Sequence, residues 1–484
     1  MLSVLNKIKS IVGSENFLDS ALDKHLYSYD ATPLFRELPE AIAIPRSAEH
    51  VSAILKLATE SGLPIVPRGS GSGLSGGSIP SKGSLVLLFP PMNRILEIDE
   101  VNMTCTVEPG VITAVLQNEV EKHGLFYPPD PGSATISTLG GNIAENAGGL
   151  RGLKYGVTKN YVMTLDVVLP SGELITLGNH SIKDVQGLNL KDVFIGSEGT
   201  LGVITKATLR LLPKPKTSQV ILFHFDSIAR VGEFVASLAL SKITPAMFEF
   251  LDNTTIRAVE SYTKIGLPES LTALVLIELD GHPAEVHDDT ATTLSIAEKA
   301  GATFSKLAES NIEAQKLKQA RKSAFSALAR LKPTTILEDA SVPRSHLPEM
   351  LLFTIEKASE LNLLVGNFGH LGDGNLHPTC LITERDANEI KRSEQFFEQI
   401  FDKAVSLGGT ITGEHGTGIA KKKYLEKAAG HTQVELMRRF KASIDEANIL
   451  NPGKIFDTSH FFKSKCERHI PASGGYSPHH DHHH

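Results

Sequence analysis

Apolar and polar positions along the chain change period several times, and each change marks an element. The N-terminal stretch MLSVLNKIKSIVGSENF spaces its apolar residues as an amphipathic helix. It lacks the long apolar core and small-residue cleavage site of a secretory signal, so none is expected. Residues 1–40 read as helices with Pro-rich ends. From Ala41 the pattern shortens. AIAIP reads as a strand, and SAEHVSAILKLATESG as an amphipathic helix stopped by Gly62. LPIVPRG, LVLLF, CTVEPG and YVMTLDVVLPSGELITL read as strands, the last with a hairpin turn at Ser171-Gly172. The helix VITAVLQNEVEKHG lies between them. GSEGTLGVITKATLRLLPKP adds one more strand and a Pro-rich linker.

The stretch Lys214–Thr217 reads as a boundary. Beyond it VILFHF, RVGEFVASLALS, FEFLD, a helix and ALVLIELDG alternate as a sheet with covering helices. A helix-rich stretch at 310–330 follows, then the strand–turn–strand LLVGNFGHLGDGNLHPTCLI. A long helix spans about 386–407, and further helices run to Asn448. The expected fold class is α+β. The expected units are a helical segment at 1–40, a strand-rich domain at 41–216, a sheet-and-helix domain at 217–420, a helical return at 421–458 and a tail at 459–484.

Composition narrows the function classes. Hydrophobic residues are 41% and charged residues 21%, which excludes a disordered chain or a coiled coil. No apolar run approaches the ~18 residues of a membrane helix. The net charge of −7 argues against a nucleic-acid partner and against a basic membrane patch. Three scattered cysteines (Cys105, Cys380, Cys466) form neither a disulfide framework nor a metal motif, so a reducing, cytoplasmic setting is the default. They are also too few for an iron–sulfur cluster. The tail PASGGYSPHHDHHH resembles an affinity tag and is set aside.

Glycines concentrate in PRGSGSGLSGGS (67–78), in PDPGSATISTLGGNIAENAGGLRGLKYG (129–156) and in IGSEGTLG (195–202). Such density costs backbone entropy, and the usual return is backbone N–H groups wrapped closely around an anion. Gly71-x-Gly73-x-x-Gly76 formally matches a dinucleotide fingerprint. However, Ser78-Ile79-Pro80 and a strand follow it instead of a helix, so the Rossmann reading fails. No GxxxxGK[ST] is present.

GHLGDGNLHP invites a geometric expectation. Asp373-Gly374 is a favoured two-residue turn. Centred there, the hairpin pairs Leu371 with Leu376 and His370 with His377. The two imidazoles then share a face with Cβ atoms about 4.5–5.5 Å apart, as two ligands of one divalent ion would. Two histidines in a hairpin also serve structural roles. Glu414-His415, after a short strand and flanked by Gly413 and Gly416, offers a third ligand. A His₂Glu set with an open position suits Zn²⁺, with Mn²⁺ or Fe²⁺ as alternatives.

These segments together resemble the FAD-dependent D-2-hydroxy acid dehydrogenases, the glycolate oxidase flavoprotein subunit and D-lactate dehydrogenase branch of the vanillyl-alcohol-oxidase superfamily. The resemblance runs from about Ile42 to Phe456. It implies a two-lobed FAD-binding domain at 41–216, a substrate (cap) domain at 217–420 and a C-terminus that returns to the FAD domain. By resemblance Arg68, Gly69, Ser70, Gly71, Ser72, Gly73 and Leu74 hold the FAD pyrophosphate. Pro131, Gly132, Thr138, Gly141, Asn142, Asn146 and Gly149 line the ribityl and isoalloxazine region. Glu198 and Ile204 reach the adenosine end, and Asn451 brings the C-terminus back to the flavin. Members with covalent flavin carry His where this chain has Ser72, so non-covalent FAD is expected.

The resemblance also assigns His370, His377 and Glu414 to the metal, His415 to the base and Arg321 to the substrate carboxylate. By helix position alone Arg321 reads as a solvated residue beside Lys318 and Lys322. A planar guanidinium suits a carboxylate, and an imidazole suits proton abstraction near neutrality. Relatives that oxidise D-2-hydroxyglutarate carry a lysine just before D-x-S-x-P and an asparagine two residues past the second histidine. Here those positions are Leu337 and Thr379, which favours a short monocarboxylate such as D-lactate or glycolate. The implied reaction passes the C2 hydride to flavin N5, with metal and His415 assisting loss of the hydroxyl proton. The electrons then go to an external acceptor such as electron-transferring flavoprotein, an iron–sulfur subunit, a cytochrome or quinone, with NAD reached only through a partner. A homodimer and a peripheral membrane association through a partner are both compatible. The rivals are a D-2-hydroxyglutarate dehydrogenase, a non-redox alkylglycerone-phosphate-synthase-like flavoenzyme and a non-catalytic electron-transfer or scaffold subunit.

Overall fold

A computed structural model describes residues 2–458. The His-rich tail and Cys466 lie outside the described residues. Three large sheets organise the rest, beside a two-stranded pairing of Leu125–Phe126 with Leu212–Pro213. The first has the strand order Phe17–Leu18, Ala41–Ala43, Leu85–Leu88, Ile65–Arg68; its first pair is antiparallel and the other two are parallel. Parallel strands covered on both faces read as unbroken apolar runs, which is why LVLLF and IV carry no alternation. The helix Ala48–Ser61 covers this sheet. Ser47 caps its start by accepting from His50 N, and Gly62 ends it at φ 72°. The N-terminal helix Leu2–Val12 packs Ile8 and Val12 into the same core.

The second sheet is antiparallel, in the order Ile95–Asp99, Thr104–Val107, Val203–Arg210, Val162–Val168, Leu174–Gly178. Its edge strand Ile95–Asp99 is absent from the sequence reading, because it is half exposed and carries no clean two-residue period. The second glycine segment also differs from a plain loop. It contains the helix Leu139–Glu145, started by Thr138 accepting from Gly141 N at 3.2 Å. Glycine weakens a helix. Here Gly140 is needed because a Cβ would lie 2.6 Å from Pro109 Cβ, so tertiary contact overrides propensity.

The third sheet has eight strands. Its main path is Phe304–Leu307, Thr217–Phe225, Ala273–Gly281, Met247–Asp252, Leu364–His370, Asn375–Ile382, Thr334–Leu337, and Ala340–Ser341 pairs beside Asn375–Ile382. The helices Ile228–Leu240, Leu347–Glu360 and Ala387–Ser406 close one face, bringing Phe234, Leu351, Phe396 and Phe401 into one core with Phe223 and Phe250 of the sheet. On the other face Leu251, Phe368 and Leu381 pack with Ile256 and Leu328, and also with Leu150 of the second glycine segment. The site therefore forms where this face meets the glycine segments. The C-terminal residues return to the first sheet: Ile65 N donates to Ile449 O at 2.7 Å, and Asn451 N donates to Ile65 O at 2.8 Å. No helix among the described residues is long and apolar enough to cross a membrane.

Candidate active site

A cavity of about 800 Å³ lies between the glycine segments and the third sheet. Arg68, Gly69, Ser70, Gly71, Ser72, Gly73 and Leu74 line it, as do Pro131, Gly132, Thr138, Gly141, Asn142, Glu198 and Ile204. Arg321, His370, His377, Glu414 and His415 form the opposite wall. Three residues singled out with them do not line it. Asn146 caps the next turn by accepting from Lys159 N at 2.9 Å. Gly149 is pressed against the Asp130 backbone, where a Cβ would sit 2.0 Å from the carbonyl oxygen. Buried Asn451 ties two glycine segments together, donating to Gly77 O at 2.8 Å and Glu198 O at 2.7 Å.

The first glycine segment is braced from the N-terminal side. Arg68 is buried and donates through Nη1 to Tyr29 O at 2.7 Å. Burial pushes its guanidinium pKa down, while Asp30 nearby opposes that shift. Asp30 accepts from Thr32 N and Ser78 Oγ. The wall also holds two carboxyls, half-buried Glu145 and buried Glu198. Burial, then the charge of Glu198, raises Glu145 well above the carboxylate range, and burial lifts Glu198 to about 7. Lys454, lowered to about 8 by burial, donates to Gly77 O and Ile79 O.

The histidine hairpin corrects the expected register. His370 stands opposite Asn375, and Phe368 stands opposite His377. The turn spans four residues, Leu371–Gly374, because its ends are used elsewhere. Leu371 N donates to Phe248 O at 2.8 Å, and Gly374 O accepts from Val342 N at 3.1 Å. Side chains alternate with period two, so Asn375 and His377 share a face. His370 and His377 are therefore diagonal neighbours instead of direct partners, with ring centroids 5.0 Å apart. Leu371 and Leu376 still pack into the core on the other side.

The loop carrying Glu414 and His415 hangs from one buried carboxylate. Asp339 Oδ2 accepts from Gly413 N (2.7 Å), Glu414 N (2.7 Å), His415 N (3.0 Å) and Thr412 Oγ1 (2.8 Å). The short strand expected before this loop is only a bridge between Ser341 and Thr410. Gly413 lies so close to Ser341 and Asn375 that a Cβ would sit 2.3 Å from Ser341 Oγ. Burial raises Asp339, but His415, Lys421 and His377 outweigh it and hold the carboxyl well below the usual range.

Three ligand atoms converge: His370 Nε2 to His377 Nε2 3.2 Å, His370 Nε2 to Glu414 Oε1 3.3 Å, and His377 Nε2 to Glu414 Oε1 3.1 Å. Donors at about 2.0–2.1 Å from one tetrahedral ion stand about 3.3 Å apart, so the set fits a first-row divalent metal. Two imidazole nitrogens aimed at each other across 3.2 Å also want a cation or a shared proton between them. His415 stacks on His377 at 5.1 Å. Its Nε2 lies 3.7 Å from Glu414 Oε1, and its Nδ1 is buried without a partner. Burial pushes His415 down to about 4.

Arg321 is buried, contrary to its solvated look on the helix Asn311–Lys322. Its Nη2 pairs with Glu249 Oε2 at 2.7 Å, its guanidinium lies 4.9 Å from the Phe368 ring centroid, and its Nε has no partner. A buried guanidinium with an unpaired Nε–H in a cavity wall suits a carboxylate ligand. Glu249, Asp339, Asp30, Glu145 and Lys454 are absent from the sequence-derived site. Glu249 had a signal in MFEFLD, since a lone acid inside an apolar strand must find a buried partner.

Residues 39–178 match the FAD binding domain family, and residues 214–455 match FAD linked oxidases, C-terminal domain. The chain is 50% identical to the glycolate oxidase subunit GlcD of Bacillus subtilis (strain 168), over 94% of this chain and 96% of the relative. The chain belongs to the FAD-linked oxidases. Among these FAD-linked oxidases it is also 32% identical to a D-lactate dehydrogenase of Anaerostipes hadrus, covering 93% of this chain and 97% of the relative. The solved structure of p-cresol methylhydroxylase superposes with a TM-score of 0.79 at 17% identity, over 95% of this chain and 97% of that one, which shows the shared fold. The fold is thus the vanillyl-alcohol-oxidase type, and the chain is an FAD-linked enzyme of the glycolate oxidase and D-lactate dehydrogenase branch.

Proposed function

We propose that the chain oxidises a short D-2-hydroxy monocarboxylate, of the D-lactate or glycolate class, to the 2-keto acid, or glycolate to glyoxylate. One observation carries the reading: a buried arginine with an unpaired Nε–H shares a cavity wall with a His₂Glu cluster and with His415. Arg321 binds the substrate carboxylate through its unpaired Nε–H. This fixes C2 and its hydroxyl in the cavity and excludes water from the reacting carbon. His370, His377 and Glu414 would hold a divalent ion, Zn²⁺ or, alternatively, Mn²⁺ or Fe²⁺. The glycine segments from Arg68, Pro131 and Ile195 would hold FAD without a covalent bond, since Ser72 offers no linkage. Bound, these groups supply a Lewis acid at the substrate hydroxyl and a two-electron acceptor. His415 is neutral across the physiological range because burial lowers its pKa to about 4. Its Nε2, the ring nitrogen nearer the ligand cluster, takes the hydroxyl proton. The electrons leave to an external acceptor of another chain.

A monocarboxylate fits the remaining charges. Leu337 contributes an apolar surface to the cavity, and buried Thr379 turns its hydroxyl onto the His377 carbonyl. Lys322 reaches the wall but is paired with Asp130 at 3.1 Å. Among the described lining residues Arg68, in the glycine segment that would hold FAD, is the cation without a carboxylate partner, and no further one awaits a distal carboxylate. His377→Ala tests the reading. The purified variant keeps its flavin colour and loses most D-lactate and glycolate turnover. Turnover near the parent level contradicts the metal role.

A further inference from the structure

We propose that Glu249 is a positioning residue that couples occupancy of the metal site to occupancy of the substrate clamp. The inference rests on the function proposed above. Glu249 lies in the strand Met247–Asp252, directly opposite His370 of the neighbouring strand, and is fully buried. Its two oxygens serve two different partners. Oε1 shares a hydrogen bond with His370 Nδ1 at 2.7 Å, and Oε2 forms an ion pair with Arg321 Nη2 at 2.7 Å without hydrogen-bond alignment. A single carboxylate thus joins the residue that faces the ligand cluster to the residue that faces the substrate carboxylate.

The chemistry of each bond follows from the donor inventory. A carboxylate only accepts, so His370 donates from Nδ1 and presents Nε2 toward His377 and Glu414. Partners of this kind fix the tautomer and ring orientation of a metal-binding histidine. On the other side, Glu249 restrains one edge of Arg321 while the Phe368 ring supports its face. Arg321 Nε remains open. Once Nε2 carries a divalent cation, His370 Nδ1–H is a stronger donor and draws the Glu249 charge toward itself. The grip on Arg321 loosens, and the guanidinium becomes a better host for an incoming carboxylate. Linkage requires the reverse as well: a bound carboxylate raises metal affinity by the same factor.

The test uses the full FAD-loaded chain, stripped of divalent ions by dialysis against a chelator. Propionate, a carboxylate with no hydroxyl to oxidise, is titrated calorimetrically without and with saturating Zn²⁺. In the parent chain Zn²⁺ tightens propionate by at least about fivefold, the lower end of ordinary coupling. In Glu249→Gln that ratio falls to about twofold or less, the residue of direct charge attraction. Glu249→Asp keeps the charge but is one methylene too short to span both partners, and it decouples in the same way. A general packing defect would weaken propionate equally with and without Zn²⁺ and leave the ratio unchanged. An unchanged ratio in both variants, or no Zn²⁺ effect in the parent chain, overturns the proposal. If the parent chain binds neither Zn²⁺ nor propionate, the proposed function falls with it.

Discussion

Asp339→Asn removes one charge and almost no volume from beneath the Glu414–His415 loop. Four donors converge on Asp339 Oδ2: three backbone N–H groups at 2.7–3.0 Å and the Thr412 hydroxyl at 2.8 Å. The other oxygen accepts from Asn375 Nδ2. A hydrogen bond to a buried charged acceptor contributes about 1.5–3 kcal/mol, and one to a neutral acceptor about 0.5–1.5. Losing about 1 kcal/mol on each of four bonds predicts about 3–4 kcal/mol of destabilisation, after allowing for non-additivity. In addition, the new amide N–H₂ faces the Asn375 N–H₂, donor against donor. The assay is the denaturant midpoint of the FAD-loaded chain, followed by flavin fluorescence released on unfolding. Turnover falls in parallel because Glu414 and His415 lose their common anchor. The pH dependence adds a second readout. The native Asp339 carboxyl lies below its unfolded value, so its stabilisation is present above about pH 4 and is lost as pH falls below that. The variant lacks this acid limb. A loss under about 1 kcal/mol with normal turnover refutes the anchoring role.

Two further outcomes follow from the same site. Arg321→Lys keeps the charge but cannot offer two parallel N–H groups, so KM for D-lactate rises by about 10–100-fold in steady-state assays, more than kcat changes. Glu145→Gln removes a half-buried acid whose native pKa is raised by desolvation and by Glu198. Such a group is tolerated while protonated, and the tolerance is lost as pH rises past its unfolded value of about 4.3 toward its native one. The variant is therefore more stable than the parent chain in denaturant unfolding at pH 8 and no more stable at pH 4.

Local chemistry made part of this site legible in the sequence. Glycine density marks the cavity segments because only close backbone approach repays so many glycines. The His370–His377 spacing shows a shared face. That conclusion survives the register error, because the true pairing differs from the expected one by two residues and alternation restores the face. The turn is two residues longer than the local sequence suggests, because Leu371 N and Gly374 O bond to Phe248 O and Val342 N, partners that no local pattern announces. Arg321 looks solvated beside two lysines, and only the packing of its helix against the third sheet buries it. Glu249 and Asp339 were missed for one reason. A buried carboxylate is defined by partners far along the chain, here His370 and Arg321 for one and residues 412–415 for the other.

The central claim is that this cavity oxidises a small 2-hydroxy acid at a bound flavin. An anaerobic visible spectrum of the purified, FAD- and metal-loaded chain, before and after D-lactate or glycolate, tests it most directly. The account predicts a yellow protein whose absorbance near the long-wavelength flavin band bleaches within the mixing time of one of the two acids, and an Arg321→Lys variant that bleaches only at higher concentration. A yellow protein that stays yellow with both acids, with Zn²⁺ or Mn²⁺ present, contradicts it.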